Sequence, residues 1–188
     1  MGASPISSAI NKYRRFSRMK MTSAQANKKL KQMNAELSLL IRTEQQSCIF
    51  RAAVGENVDE VRPEYEYHHM QLAIDTLNGK IRKLKHSINV FNTITEIPGQ
   101  HCTIDEALVK ISQLTQKVNR LVKMCSRLPR ERADDNYRSN IIDYVILNYD
   151  RNDAAMDYQN TQEELAELQT ALDTVNNTVE YDFDVDES

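Results

Sequence analysis

The stretch that decides the fold is residues 67–91, YHHMQLAIDTLNGKIRKLKHSINVF. Its apolar residues recur at alternating steps of three and four, and they are Tyr67, Met70, Ile74, Leu77, Ile81, Leu84, Ile88 and Phe91. This spacing places them on one narrow helical face, which must pack against a partner to leave water. Pro63 precedes the stretch, as suits a first helical turn, and Pro98-Gly99 follows it. We therefore predict a long amphipathic helix that runs to about Thr95.

Three other segments repeat this spacing. The earliest predicts a helix over roughly residues 22–53 that stops near Gly55. Another opens with Thr103 and Glu106, a capping box, and Pro129 ends it. We call the apolar residues at this spacing the seam of a helix. In chain order, the seams of the three segments are Ala26, Leu30, Met33, Leu37 and Leu40; Ile104, Leu108, Ile111, Leu114, Val118, Leu121, Cys125 and Leu128; and Ala154, Tyr158, Leu165, Leu168, Leu172, Val175 and Val179.

Two short stretches have the composition of strands. Residues 141–149 are rich in β-branched and aromatic side chains. Near the C-terminus, apolar residues alternate with acids, which predicts either a second short strand or a disordered acidic tail. The helix between the two stretches is too long for them to pair easily within one chain. The strand interpretation therefore expects the C-terminal strand of an antiparallel neighbouring chain beside residues 141–149.

These elements predict a mainly α fold: an antiparallel bundle of about four long helices, coiled-coil-like, with one or two short strands. A chain of 188 residues suits one core. We predict a flexible basic N-terminal arm at residues 1–20, a single helical-bundle domain at residues 21–179, and an acidic C-terminal strand or tail at residues 180–188.

The net charge of −3 conceals an uneven distribution. Residues 1–77 carry a net charge of +3, residues 78–132 carry +7 and residues 133–188 carry −13. A basic middle and an acidic final third attract each other within a chain or between chains. The same acidic block would repel nucleic acid, so nucleic acid is the less favoured partner.

Cysteine usage and hydropathy point to a reducing compartment. Cys48, Cys102 and Cys125 form no C-x-x-C pair and no even disulfide framework. No stretch approaches the roughly 20 apolar residues that cross a bilayer, and the N-terminus lacks the apolar core of a signal peptide. These features predict a cytoplasmic protein.

The histidines are the first candidates for chemistry. His68 and His69 are adjacent, and adjacent side chains on a helix point about 100° apart, so the two are poorly placed to share a metal. His101-Cys102 lies in the loop before Thr103, where a metal or a reactive thiol is conceivable, yet no second pair at ligand spacing accompanies it. We interpret all of them as structural or surface residues.

The charged pairs have equally ordinary interpretations. Asp134-Asp135 and Glu163-Glu164 are typical of solvated surface, and no nucleophile recurs with them. The basic cluster Lys80, Arg82, Lys83 and Lys85 could bind phosphate, but it is also typical of the polar back of a helix. The sequence has no glycine-rich phosphate loop and no G-x-S-x-G. We therefore predict a non-enzyme with no catalytic, metal-binding or cofactor-binding residues and no cofactor.

The order of features from residue 89 onward resembles the septicolysin-like family of small bacterial helical proteins. The similar features are Asn89-Val90-Phe91-Asn92, the Gly99 turn, Thr103-Ile104-Asp105-Glu106-Ala107-Leu108, the strand at 141–147, and Leu168-Gln169 through Leu172-Asp173 to Asn176. The resemblance implies a long-helix protomer that forms a homo-oligomer, plausibly a hexamer, with no established biochemical activity.

Four functions follow as hypotheses. The first is a cytoplasmic, homo-oligomeric helical bundle that acts as a structural and interaction module, with the chain itself as the partner. The alternative that the family name suggests is a membrane-acting, pore-forming protein. A third is a metal-dependent enzyme that uses His68, His69 or His101. The fourth is nucleic-acid binding through the basic residues 12–31.

Overall fold

The computed structural model describes residues 18–133 and 143–185. Helices hold 68% of these residues, which confirms the predicted mainly α fold. The elements are, in chain order, β1 (Arg18–Thr22), α1 (Ser23–Ser47), α2 (Val58–Val61), α3 (Tyr67–Ile94), β2 (Glu96–Ile97), β3 (Cys102–Thr103), α4 (Ile104–Ser126), β4 (Arg130–Arg132), β5 (Tyr144–Ile146), α5 (Arg151–Thr178) and β6 (Glu180–Asp184).

Reciprocal capping boxes fix where two of the long helices begin. The Thr103 hydroxyl accepts the Glu106 backbone N–H at 3.3 Å, and the Glu106 carboxylate accepts the Thr103 N–H at 2.8 Å. Both bonds satisfy backbone donors that the first helical turn leaves without partners. This confirms the predicted start of α4. Thr22 and Gln25 form the same arrangement at the start of α1.

Helix α1 is shorter than its predicted range of 22–53, because its apolar seam ends first. The seam continues past Leu40 only to Glu44 and Ser47, which are polar. A helix extended beyond Ser47 would gain no further apolar burial, so nothing offsets the entropy of ordering it. The chain instead leaves the helix at Cys48, and residues 48–57 are all exposed.

The chain divides into two compact units. The first unit ends at Asn92 and resumes at Asn176, so it holds β1, α1, α2, nearly all of α3, and β6. Within it, α1 and α3 are antiparallel. The Glu44 side chain near the end of α1 contacts Gln71 near the start of α3, and the strand that precedes α1 pairs with a strand that contacts Ser87.

The sheet β1–β6 closes one end of this helix pair. Three aromatic rings meet beneath it: the Phe91 ring centroid lies 5.4 Å from that of Tyr181 and 5.5 Å from that of Phe183. Phe91 and Phe183 are 1% and 0% exposed. The backbone N–H of Asp184 donates to the Ser87 hydroxyl at 3.2 Å. We call this the closed end of the α1–α3 pair.

The pairing of β6 corrects the neighbour-chain expectation. The strand interpretation is right for residues 180–184, but β6 pairs with β1 of its own chain, in an antiparallel register that joins Arg18 to Asp184. Two ion pairs support this register, Arg18 with Asp184 at 3.4 Å and Lys20 with Glu180 at 3.1 Å. Residues 18–20 of the predicted arm therefore belong to a strand.

The second unit runs from Thr93 to Val175 and holds β2, β3, α4, β4, β5 and most of α5. The hairpin β2–β3 turns at Gly99, whose φ of +77° is readily available to glycine. Helices α4 and α5 are antiparallel, because Lys110 pairs with Glu164 at 2.7 Å while the Arg151 side chain reaches the Cys125 carbonyl at 3.1 Å. The core residues of the second unit are Ile97, Ile104, Ala107, Leu114, Leu121, Ala154, Thr161, Leu168, Leu172 and Val175.

The strand predicted at residues 141–149 is shorter than expected. Only Tyr144–Ile146 is strand, paired with β4, and residues 141 and 142 lie outside the described part of the chain. Tyr149 follows the strand and donates its hydroxyl to the Met124 carbonyl at 2.8 Å. That hydrogen bond positions Tyr149 two residues before α5 begins at Arg151. The last residues of the predicted strand therefore form the connection to α5.

Candidate functional site

One concave surface of the first unit is a groove between α1 and α3. It has a volume of about 370 Å³ and lies toward the end of α1 and the beginning of α3. Its lining comes from about one turn of α1 and about three turns of α3, and it mixes apolar with charged side chains. The lining residues are Glu36, Leu40, His69, Leu72, Ala73, Thr76, Leu77 and Lys80. We call this surface the α1–α3 groove.

The groove ends at a polar contact that holds the two helices together. The Glu44 carboxylate accepts hydrogen bonds from the Tyr65 hydroxyl, at 3.5 Å, and from the Gln71 side-chain amide. Desolvation of the Tyr65 phenol and the negative charge of Glu44 raise the pKa of Tyr65 above 10.0. The contact therefore places a neutral phenol and a carboxylate where α1 gives way to the 48–57 segment.

Large apolar side chains in this half of the helix pair are left in water. Leu72, which lines the groove, is 66% exposed, and Tyr67 at the start of α3 is 58% exposed. Leu72 shares the groove surface with the apolar residues Leu40, Ala73 and Leu77, and an exposed apolar patch of this kind marks a binding surface. We call this half of the helix pair the open end. Four of the eight lining residues are apolar, so the groove suits an apolar partner.

The structure separates the two adjacent histidines. His68 lies edge-on to the Tyr67 ring, with ring centroids 5.3 Å apart, whereas His69 lines the α1–α3 groove. His101 belongs to the second unit. In the part of the chain that the structure describes, no group of three His, Cys, Asp or Glu side chains is placed to hold a metal ion.

His101 and Cys102 lie in the β2–β3 hairpin, beside the beginning of α4. His101 is exposed with a φ of +49°, and together with Cys102, Glu106 and Lys110 it borders a shallow depression. The Thr103 N–H and hydroxyl lower the pKa of Glu106, and the Glu164 carboxylate raises the pKa of Lys110. Both shifts move away from neutral pH, which is the opposite of what general acid–base catalysis requires.

The charged pairs predicted from the sequence have separate positions. Glu164 pairs with Lys110, while Glu163 is exposed to solvent. Asp134-Asp135 lies outside the described residues. Within the basic cluster, Lys80 lines the α1–α3 groove, whereas Arg82, Lys83 and Lys85 are exposed.

Sequence reasoning missed the groove because several of its lining residues lie off the predicted seams. Leu40 and Leu77 are seam residues, but Glu36, His69 and Leu72 are not. The signal in the sequence was an extra leucine, Leu72, on the helix that carries the clearest seam. An apolar helical stripe that is wider than the core needs indicates a surface for a partner.

Comparison with known families places the chain. A family model described as "Syntaxin-like protein" matches residues 67–183, which is more than half of the chain. The chain belongs to the syntaxin-like protein family. The matched range takes in α3, α4 and α5 and ends within β6. No curated protein matches this syntaxin-like chain.

One solved structure similar to the syntaxin-like chain is the crystal structure of a functionally unknown conserved protein from Corynebacterium diphtheriae. The TM-score is 0.60, the sequence identity is 20%, and the alignment covers 86% of this chain and 99% of that one. At this identity the similarity shows a shared fold and carries no activity with it.

The septicolysin-like assignment is wrong. The syntaxin-like match overturns it, and the structural neighbour gives it no support. The segment that carried the resemblance, Thr103 to Leu108, is a capping box followed by the first seam residues of α4, a local pattern that unrelated helical bundles share. The predicted hexamer and the pore-forming alternative rested on that assignment and lose their basis. No helix among the described residues of this syntaxin-like chain has the length and apolar character needed to cross a bilayer.

Proposed function

We propose that this syntaxin-like chain is a non-enzymatic structural and interaction module that assembles with copies of itself in the cytoplasm. The observation that carries the proposal is the apolar patch at the open end, where Leu72 lines the α1–α3 groove and stays 66% exposed. Fully burying a leucine side chain is worth about 1.5–3 kcal/mol. Covering the groove in an assembly would recover the share of that energy that belongs to the exposed part of Leu72.

The charge distribution favours a copy of the same chain as the partner. Residues 78–132 carry +7 and residues 133–188 carry −13. Two such chains attract each other at long range if opposite blocks meet, and this attraction raises the rate of association. Within the chain, Lys110 of the basic block pairs with Glu164 of the acidic block at 2.7 Å, an example of the attraction between blocks of opposite charge.

The pKa values support a role other than catalysis. Glu106 and Lys110 stay charged near neutral pH, as surface groups do. An acid–base enzyme instead holds at least one group near the pH at which it works. The pKa of Tyr65 also moves away from neutrality, upward from 10.0.

Light scattering coupled to size exclusion tests the proposal. At micromolar concentration, we expect a molar mass well above the 21.7 kDa of one chain. Leu72→Glu should lower that mass, since it places a charge on the apolar patch. Leu128→Glu is the matched control, because Leu128 is a similarly exposed leucine, at 59%, that belongs to the second unit and does not line the groove.

Each outcome has a defined meaning. A wild-type chain that is monomeric throughout this range would refute self-assembly. An assembly that Leu72→Glu and Leu128→Glu leave equally intact would keep self-assembly but remove the groove from it. Far-UV circular dichroism checks that both variants remain helical.

A further inference from the structure

The segment between α1 and α2 displays apolar residues that its own chain leaves uncovered. Ile49 is 77% exposed, Phe50 is 40% exposed and Val54 is fully exposed. The segment follows directly on the open end, since α1 ends at Ser47. Three large apolar side chains within six residues of exposed chain form a second apolar surface in the first unit, separate from the groove lining.

This segment has a defined conformation. The Glu56 N–H donates to the Ala53 carbonyl at 3.1 Å, and the Ala53 N–H donates to the Glu56 carboxylate at 2.8 Å. Gly55 occupies the third position of the resulting turn with a φ of +91°, which glycine adopts without strain. We call residues 53–56 the Val54 turn. The turn holds Val54 at an exposed tip before any partner binds, which lowers the entropy lost on binding.

Phe50 is also positioned by a neighbour. The Arg62 guanidinium lies 6.0 Å from the Phe50 ring centroid, and Arg62 itself pairs with Asp59 at 3.4 Å. These contacts orient the ring without burying it, since 40% of Phe50 stays exposed. The segment therefore presents a preformed apolar ridge of Ile49, Phe50 and Val54.

We propose that this ridge fills the α1–α3 groove of a second copy of the chain. The inference rests on the proposed self-assembly and names the contact that produces it. The two surfaces belong to the same unit, so a twofold axis lets each copy supply its ridge to the other's groove. Such an exchange is isologous and closes with two identical contacts.

Charged residues of both signs lie on the two surfaces. The groove lining includes the Glu36 carboxylate and the Lys80 ammonium, and the segment carries the Arg51 guanidinium between Phe50 and Val54 and the Glu56 carboxylate after Val54. Neither Glu36 nor Arg51 forms an ion pair with a described residue of its own chain. An arginine and a carboxylate brought together at an interface fix its register and exclude wrongly charged partners.

The ridge of another copy suits the groove better than the ridge of the same chain. Val54 stays fully exposed although its segment begins beside the open end. The Val54 turn and the Phe50 contact with Arg62 hold the segment in its exposed conformation. A second copy brings the same ridge from outside and requires neither of these local contacts to break.

A complementation experiment tests the exchange. One variant, Ile49→Asp with Val54→Asp, has a disabled ridge and an intact groove. The other, Leu72→Glu, has a disabled groove and an intact ridge. Each alone should sediment as a monomer in analytical ultracentrifugation, with a dimer dissociation constant raised at least about tenfold. Mixed together at high micromolar concentration they should associate, because the ridge of the second fits the groove of the first.

A charge exchange provides an independent readout at the same contact. Glu36→Arg and Arg51→Glu should each weaken association, whereas the double variant should restore it. Val109→Asp is the control for the apolar ridge, because Val109 is an exposed valine, at 55%, in the second unit. It should leave association unchanged.

The outcomes separate this inference from the proposed function. A monomeric wild-type chain overturns both. An assembled wild-type chain that withstands Ile49→Asp with Val54→Asp overturns the ridge while self-assembly stands. Association lost in each variant but absent from the mixture, together with no rescue by the double charge variant, overturns the exchange and leaves the groove to another partner surface.

Discussion

The two ends of the α1–α3 pair use the same helical spacing and reach opposite burial. At the closed end, the seam residues Leu84 and Phe91 are 0% and 1% exposed; at the open end of the same helix, the seam residue Tyr67 is 58% exposed. The difference comes from the β1–β6 sheet, which adds a third layer over Phe91. Helical spacing thus determines which residues can be buried together, and another element determines whether they are.

The largest expected effect comes from comparing the same substitution at both ends. Leu84→Ala should lower the free energy of unfolding by about 2–5 kcal/mol, because it leaves a cavity in a closed core. Leu72→Ala should change it by less than about 0.5 kcal/mol, because the side chain is already in water. Urea denaturation, at a protein concentration where the chain is monomeric, measures both. Equal losses would show that the open end is covered in the isolated chain.

A smaller effect isolates the hydrogen bond that joins the sheet to α3. Ser87→Ala removes the acceptor of the Asp184 N–H and should cost about 1 kcal/mol or somewhat more, because that N–H is partly buried. Hydrogen exchange at the Asp184 amide should become faster. The control is Ser38→Ala, since the Ser38 hydroxyl bonds only to the Asn34 carbonyl on the exposed face of α1. If both variants behave alike, the sheet does not depend on Ser87.

The smallest effect probes the polar contact of the open end. Desolvation and the Glu44 charge raise the pKa of Tyr65, so folding stabilises the protonated phenol. The stability from this group is present below the ordinary tyrosine pKa and is lost as pH rises through the raised value. Glu44→Gln should lower the Tyr65 pKa toward 10.0 without fully restoring it, because desolvation, the larger cause, remains.

Nuclear magnetic resonance of the Tyr65 ring follows this titration directly. Glu60→Gln is the control, because it removes a carboxylate that lies outside the Tyr65 environment. A Tyr65 pKa that both variants leave at the wild-type value would show that Glu44 does not influence the phenol.

The candidate site could be predicted only in part. Leu40 and Leu77 follow from the seams, and the divergence of His68 from His69 follows from helical geometry. The groove itself did not follow, since Leu40 of α1 and Leu72 of α3 line one surface only when α1 folds back along α3. The exposed ridge was equally hidden, because residues up to 53 were predicted as helix and end instead in a turn.

The four long helices and the capping box at Thr103 and Glu106 follow from local sequence, because both depend on side chains within one or two helical turns. The pairing of β6 with β1 depends on the folded chain, since it joins Arg18 to Asp184 from opposite ends of the described chain. The fold also sets which length of each apolar seam is covered. The local pattern is the same at both ends of α3, and burial depends on the distant segments that the fold brings to one of them.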